Sequence, residues 1–164
     1  MRASKIILFS LMLGAPAVAQ KQSLGIFARW GAFAADGGAR CYAIAEPERP
    51  ARAEGARPFA SVGYWRGRGP DGQLHIRFVR EKRRGSAVLL RIDARTFQLV
   101  GGGVNAWAPN QEADAEILAA MRTGIDMVVE TRAVNGTRMR DHYALRGAAT
   151  AIDAAAIACA SRRR

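Results

Sequence analysis

Apolar and polar residues alternate along most of this chain, and the alternation predicts β-strands. Leu74, Ile76 and Phe78, for example, are separated by more polar neighbours, which is typical of a half-buried strand in an antiparallel sheet. Turn residues interrupt the runs, and Asn135-Gly136 is the strongest short hairpin signal among them. The predicted strand segments are residues 25–35, 40–45, 59–65, 74–79, 88–92, 97–100, 127–134 and 139–145.

Two segments have helical rather than strand character. Asn110 is a suitable N-cap for a helix with an acidic first turn, which we predict to end near Gly124. Residues 148–160 are rich in alanine and free of proline and glycine, and Ile152 and Cys159 would lie on one face of that helix. The predicted fold class is mainly β, a β-rich α+β domain. It has a single antiparallel sheet, sandwich-like or strongly curved, and two short helices.

The beginning of the chain has the pattern of a bacterial export signal. A basic start precedes the apolar run at residues 6–13, and small residues follow at 17–19. We predict a signal peptide at residues 1–19, cleaved after Ala19, and a single domain at residues 20–164. The alternative is a membrane anchor, but a spanning helix needs roughly 20 apolar residues. No second long apolar run follows, so the predicted mature chain has no transmembrane segment and is periplasmic or secreted.

The charge of the chain is strongly positive. The formal net charge is +11, and the predicted mature domain keeps +9 of it. Outside the cytoplasm, the electric field of such a positive charge would attract anionic lipids, lipopolysaccharide or polyanionic glycans. The alternative is that charged turns and a solvated tail only keep the protein soluble. The candidate polyanion-binding residues are those of the densest basic runs: Arg80, Lys82, Arg83, Arg84, Arg162, Arg163 and Arg164.

The two cysteines of the chain both follow the predicted cleavage site. In an oxidising compartment two cysteines can pair once, so we predict a disulfide between Cys41 and Cys159. This bond would close nearly the whole mature chain into one loop, which the chain-entropy model values at roughly 4 to 5 kcal/mol. The alternative is a pair of independent buried thiols, because free cysteine behaves as a small hydrophobic residue.

Candidate catalytic and metal-binding residues are sparse. His75 and His142 are the two histidines, and Ser61 or Ser86 could approach one of them. Asp141 precedes His142, but adjacent strand residues point to opposite faces, so this carboxylate is not placed to orient the imidazole. We read it instead as a hairpin or helix-capping acceptor. Two scattered histidines do not form a metal site. The sequence therefore predicts no catalytic residue, no metal and no cofactor.

A set of positions in the last third of the chain resembles a known family. The positions are Ala106-Trp107, the helix at 117–124, Gly136, Asp141, Tyr143-Ala144-Leu145, Gly147, Ala148 and Ala151. Together they resemble the invasion-associated locus B family, and the likeness extends upstream through Trp30 and the strand that contains Cys41. The resemblance implies an exported alphaproteobacterial protein with a compact β-rich domain, associated in some pathogens with host-cell entry, and implies no known reaction. Family members commonly pair two cysteines in the N-terminal region, whereas the second cysteine here is Cys159.

The sequence thus predicts an exported, non-enzymatic envelope protein with a binding or envelope-maintenance role. A second hypothesis is a polyanion-binding module, for lipopolysaccharide or nucleic acid, that uses the arginine clusters. A third is an envelope hydrolase, which would require His75 or His142 within hydrogen-bond reach of a serine. The partner is unknown at this stage, with anionic envelope components as the candidates.

Overall fold

The structure is a computed structural model, and it describes residues 21–50, 57–68 and 71–160. The predicted signal peptide at residues 1–19 lies outside these ranges. The strands are β1 (Gln22–Phe27), β2 (Trp30–Ala35), β3 (Arg40–Ala45), β4 (Phe59–Trp65), β5 (Gln73–Arg77), β6 (Val88–Ile92), β7 (Arg95–Gly102), β8 (Asn105–Trp107), β9 (Asp126–Arg132) and β10 (Arg138–Ala144). The helices are α1 (Gln111–Thr123) and α2 (Ala148–Ala160), with a short 3-10 turn at Asp36–Gly38.

All ten described strands join one antiparallel sheet, in the order β1-β2-β3-β4-β5-β8-β7-β6-β9-β10. Most neighbours in the sheet are consecutive in the chain, because short turns favour antiparallel hairpins. Side chains alternate between an inner face that is buried and an outer face that is half-buried or exposed. The predicted fold class, a mainly β domain with one antiparallel sheet and two short helices, is confirmed.

Two parts of the predicted strand pattern were wrong. The segment 25–35 is two strands, β1 and β2, separated by a tight turn at Ala28 and Arg29. Ala28 adopts a positive φ of 54°, a conformation that alanine rarely takes, so the sequence carried no turn signal there. Strand β8 was not predicted, since its three residues are too few to show an alternating pattern.

The helices cover the inner face of the sheet. Helix α2 lies over strands β1 to β4, and α1 contacts β5, β7 and α2. Asn110 caps α1 as predicted, with its Oδ1 accepting from the Ala113 backbone N–H at 2.9 Å. Alanines such as Ala32 and Ala43 line the sheet under α2, and small side chains let helix and sheet approach closely. No helix in the described ranges is long and apolar enough to cross a membrane.

The sheet is so strongly curved that its first hairpin meets its last strand. The fully buried Trp30 of β2 donates from Nε1 to the Ala144 carbonyl of β10 at 3.0 Å. The backbone N–H of Glu48 donates to the His142 carbonyl of the same strand at 2.8 Å. Two carbonyls on the outer edge of β10 are therefore paired by distant parts of the chain, which stabilises this edge against pairing elsewhere.

Candidate functional site

A basic surface lies on the outer face of β9 and β10. Arg132 and Arg138 are partners in the antiparallel register, and Arg140 is two residues further along β10 on the same face. All three side chains are exposed. Arg138 and Arg140 lie together because alternate residues of a strand point to the same side, and the strand register adds Arg132 of β9.

The basic turn at residues 80–84 joins this surface through backbone hydrogen bonds. The Arg83 N–H donates to the Arg132 carbonyl at 2.8 Å, and Lys82 forms an isolated antiparallel bridge with Ala133. Arg84 follows in an exposed turn. Arg83 and Arg84 therefore lie beside the end of β9, although about 50 residues separate them from it in sequence. We call Arg83, Arg84, Arg132, Arg138 and Arg140 the basic surface.

The carboxylate of Glu130 lies among the strand arginines of the basic surface. Its Oε2 lies 2.7 Å from Arg138 Nη2, and its Oε1 lies 3.0 Å from Arg140 Nε. The hydrogen bond from Arg138, together with the charges of Arg138, Arg140 and Arg91, holds the pKa of Glu130 below its usual value. Glu130 therefore stays ionised and orients two arginines, while the surface keeps a positive excess.

An open cavity of about 350 Å³ lies beside Arg132 and Arg138 of the basic surface. Its walls combine the charged side chains with an exposed leucine, Leu89, and with the side chain of Ser86. An anionic group could meet arginine there while an apolar portion covers Leu89. The lining residues are Ser86, Ala87, Leu89, Glu130, Thr131, Arg132 and Arg138.

The predicted basic residues are only partly brought together. Arg83 and Arg84 belong to the basic surface, whereas Lys82 donates its backbone N–H to Gly103 and its Nζ to the Arg83 carbonyl at 3.1 Å. Arg80 lies in an exposed bend before that segment. The predicted residues Arg162, Arg163 and Arg164 lie outside the described residues.

The sequence reasoning missed the strand arginines Arg132, Arg138 and Arg140. The predicted basic residues are consecutive in the chain, whereas the strand arginines alternate with inward-facing residues in the two arms of a hairpin. The period-2 placement of Glu130, Arg132, Arg138 and Arg140 around Asn135-Gly136 was the available signal, since a hairpin aligns such residues side by side.

The histidines lie on the outer face and are bonded to groups other than serine hydroxyls. His75 is the register partner of Ser61, but its Nε2 lies 2.9 Å from Asn105 Oδ1 and its ring stacks on Trp107. His142 Nδ1 lies 2.7 Å from Glu48 Oε2. Neither arrangement has the serine–histidine contact that the hydrolase hypothesis requires, so the geometry gives that hypothesis no support.

Asp141 is not the hairpin or capping acceptor that the sequence suggested. It points to the inner face of β10 and is only 5% exposed. Burial raises its pKa to about 6, and its charge contributes to raising the pKa of the buried Tyr143. The prediction was wrong because alternation along β10 turns Asp141 inward, opposite to Arg140 and His142. The described residues contain no group of three or more side chains suited to a metal ion.

Cys41 and Cys159 form a disulfide, as the sequence predicts. Their Cα atoms are 5.7 Å apart, and the bond joins β3 to the last turn of α2 across a sequence separation of 118 residues. Both residues are buried on the inner face. The bond therefore fixes the C-terminal helix to the centre of the β1–β4 part of the sheet.

Comparison with known proteins gives a relation at the level of the fold. No protein-family model matches the sequence, and no curated protein sequence matches it. Its fold is similar to that of invasion associated protein B from Bartonella henselae. The TM-score to that crystal structure is 0.61, with 14% sequence identity, over 86% of this chain and 99% of the other. The relation expected from the sequence resemblance is therefore supported for the fold, and at this identity for the fold alone.

Proposed function

We propose that this protein is an exported, non-enzymatic envelope protein that binds anionic envelope components through its basic surface. The observation that carries the proposal is the group of five exposed arginines of the basic surface, two of which pair with Glu130. Glu130 pairs with two of these arginines but neutralises only one positive charge. Positive charge near an anionic membrane surface favours association by about 1 kcal/mol per residue. The cavity beside the arginines has room for a phosphate-bearing head group.

The fold likeness supports the envelope part of the proposal. The similar structure is named as an invasion associated protein, and this chain shares its fold over most of its length. The disulfide is compatible with an oxidising compartment, where such bonds persist. The export signal predicted at residues 1–19 and the net charge of +9 expected after its removal complete the proposal, since export would place the basic surface opposite envelope polyanions.

Binding to vesicles tests the basic surface. The oxidised protein is mixed with phosphatidylglycerol vesicles or with uncharged phosphatidylcholine vesicles, and the bound fraction is measured by co-sedimentation. We expect binding to phosphatidylglycerol alone, with a steep loss as salt screens the charges. Substitution of Arg83, Arg132 and Arg138 by glutamine should remove about 1 kcal/mol of binding for each arginine.

The matched control removes the same charge from other surfaces. Glutamine at Arg68, Arg95 and Arg122 leaves the net charge equal to that of the test variant, but these residues belong to elements and turns other than β9, β10 and the hairpin that contacts β10. We expect the control variant to retain most of the binding. Equal losses in the two variants would show that only net charge matters, and salt-insensitive binding would contradict an electrostatic site.

Export is tested separately. The full-length chain is produced in a Gram-negative host, the periplasm is released by osmotic shock, and the N-terminus of the released protein is sequenced. We expect the mature form to begin at Gln20. Retention of the uncleaved chain in the cytoplasm would contradict the envelope location, whatever the vesicle experiment shows.

A further inference from the structure

The outer face of strands β2, β3, β4, β5 and β8 is aromatic, unlike the basic face of β9 and β10. Cross-strand register places Phe33 beside Tyr42, and His75 beside Trp107. These side chains are half-buried and lie outside the hydrophobic core. We call this surface the aromatic face. Its rings are Phe33, Tyr42, Phe59, Trp65, His75 and Trp107.

Both described helices pack on the opposite side of the sheet. Helix α2 is joined to β3 by the disulfide of the inward-facing Cys41, and α1 places Leu118 beside the inward-facing Tyr64. The aromatic face is therefore not covered by either helix. Aromatic side chains are enriched where proteins bind other molecules, so the aromatic face is a candidate interaction site.

The rings of Phe33 and Trp65 lie over two glycines of their own strands. A Cβ on Gly31 would lie 2.7 Å from Phe33 Cε2, and a Cβ on Gly63 would lie 3.0 Å from Trp65 Cη2. The rings therefore occupy the space above the glycines, and any larger residue would displace them. Glycine inside a strand often marks such a close approach.

A second group of rings is held in a fixed orientation. The ring of His75 stacks on Trp107 at a centroid distance of 5.4 Å, and Phe59 meets the same imidazole edge-on at 5.3 Å. The hydrogen bond between His75 Nε2 and Asn105 Oδ1 fixes the imidazole between them. Four inter-strand steps separate β2 from β8, so the aromatic face spans about 19 Å at ~4.8 Å per step.

The charges on these strands favour an anionic ligand of low charge density. Strands β1 to β5 and β8 contain no aspartate or glutamate, and their arginines are Arg40 and Arg77. Arg40 lies beside Tyr42, with its guanidinium 5.2 Å from the ring centroid, and its ion pair with Asp36 at 3.8 Å is exposed and therefore weak. Arg77 is the register partner of Phe59, at the other edge of the aromatic face.

We propose that the aromatic face binds an acidic oligosaccharide. The apolar C–H faces of successive sugar rings pack on Phe33, Trp65 and Trp107, as flat apolar groups pack on aromatic rings in general. Carboxylate or phosphate substituents of the sugars pair with Arg40 and Arg77. Hydroxyl groups meet polar side chains between the rings, such as Gln73 and Asn105, which can donate and accept hydrogen bonds.

The spacing of charge favours a saccharide over single-stranded nucleic acid. A protein that binds such a strand follows its backbone with a continuous positive groove, since every nucleotide carries a phosphate. Here the two arginines stand at opposite edges of the aromatic face, and the positions between them are uncharged or aromatic. The site does not depend on the basic surface, which lies on other strands of the sheet.

Isothermal titration with defined oligomers tests the proposal. The oxidised protein is titrated with a hexamer of galacturonic acid, with uncharged cellohexaose and with oligothymidylate. We expect galacturonate to bind more tightly than cellohexaose, and Arg77→Gln to reduce that difference. Trp107→Ala should weaken binding roughly ten-fold, about the loss that follows removal of an aromatic ring stacked on a nucleotide base, whereas Trp107→Phe should retain most of it.

Matched variants separate this site from the basic surface. Arg132→Gln with Arg138→Gln should leave galacturonate binding unchanged, so failure of the vesicle experiment would not affect this result. If Trp107→Ala does not fold, as judged by circular dichroism, the Trp107→Phe and Arg77→Gln titrations still decide the question. Tighter binding of oligothymidylate, or no binding of either sugar at millimolar concentration, would overturn the proposal.

Discussion

Asp141 is a carboxylate inside an otherwise apolar part of the sheet. Its side chain points inward from β10, and burial raises its pKa to about 6. The folded protein therefore holds this proton more tightly than the unfolded chain does. The corresponding stabilisation is fully present below the unfolded pKa of about 4, and it is lost as the pH rises through about 6.

Asp141→Asn should therefore stabilise the protein at alkaline pH. We expect the variant to gain roughly 2 to 3 kcal/mol of unfolding free energy at pH about 8 and much less at pH about 4, from the size of the pKa shift. Urea unfolding at both pH values measures the difference. Asp71→Asn, at an exposed position, is the control and should change little. Equal effects of Asp141→Asn at the two pH values would contradict the buried-carboxylate account.

Gly147 lies just after β10, against the first hairpin of the sheet. Its φ is 91°, and a Cβ there would overlap the carbonyl oxygen of Phe27 at the end of β1. Gly147→Ala should therefore destabilise the protein by about 3 kcal/mol, combining backbone strain with overpacking. Gly136→Ala is the matched control, because Gly136 has a φ of 83° and open space around its Cβ. Similar thermal shifts in the two variants would show that the contact with Phe27 does not matter.

At the scale of the secondary-structure element, the disulfide fixes helix α2 to the sheet. The helix has an alanine-rich inner face, and alanine buries little apolar area compared with larger side chains. A covalent link to β3 therefore contributes a large part of what holds α2 on the sheet. The loop that the link closes spans 118 residues, so the bond also restricts most of the unfolded chain.

Removal of the disulfide should lower stability by up to about 5 kcal/mol. The variant Cys41→Ser with Cys159→Ser and the wild-type protein treated with reductant should both show this loss in urea unfolding. Amide hydrogen exchange should rise first in α2, because this helix loses its anchor. An unchanged midpoint after complete reduction would contradict the assigned role.

At the scale of the whole molecule, the described residues share one sheet and one core, so we expect the domain to unfold as a single cooperative unit. Trp30 links the first hairpin to β10, so the two ends of the strand order are in contact. With Trp65 and Trp107 replaced by phenylalanine, fluorescence reports Trp30 alone. We expect its unfolding transition to coincide with that of far-ultraviolet circular dichroism. An earlier fluorescence transition would show that the contact between the first hairpin and β10 opens independently of the rest of the sheet.

Local sequence patterns were sufficient for most elements of this fold. Some signals act within a few residues, so the sequence alone reveals their effects. Examples are the cap at Asn110, the hairpin at Asn135-Gly136 and the alanine-rich segment. The turn at Ala28 was missed because its residue type gives no turn signal. Strand β8 was missed because its pairing with β5 and β7, rather than its own pattern, makes it a strand.

The candidate sites depended far more on tertiary structure. Composition, cysteine number and the alternation of apolar and polar residues led to a basic, disulfide-linked β domain, since these properties are contained in the sequence itself. The meeting of Arg83 with Arg132, the alignment of rings on five strands and the burial of Asp141 were decided only by folding. The physical reason is that neighbours on a sheet face come from strands far apart in the chain. Which face is buried depends on what packs against it.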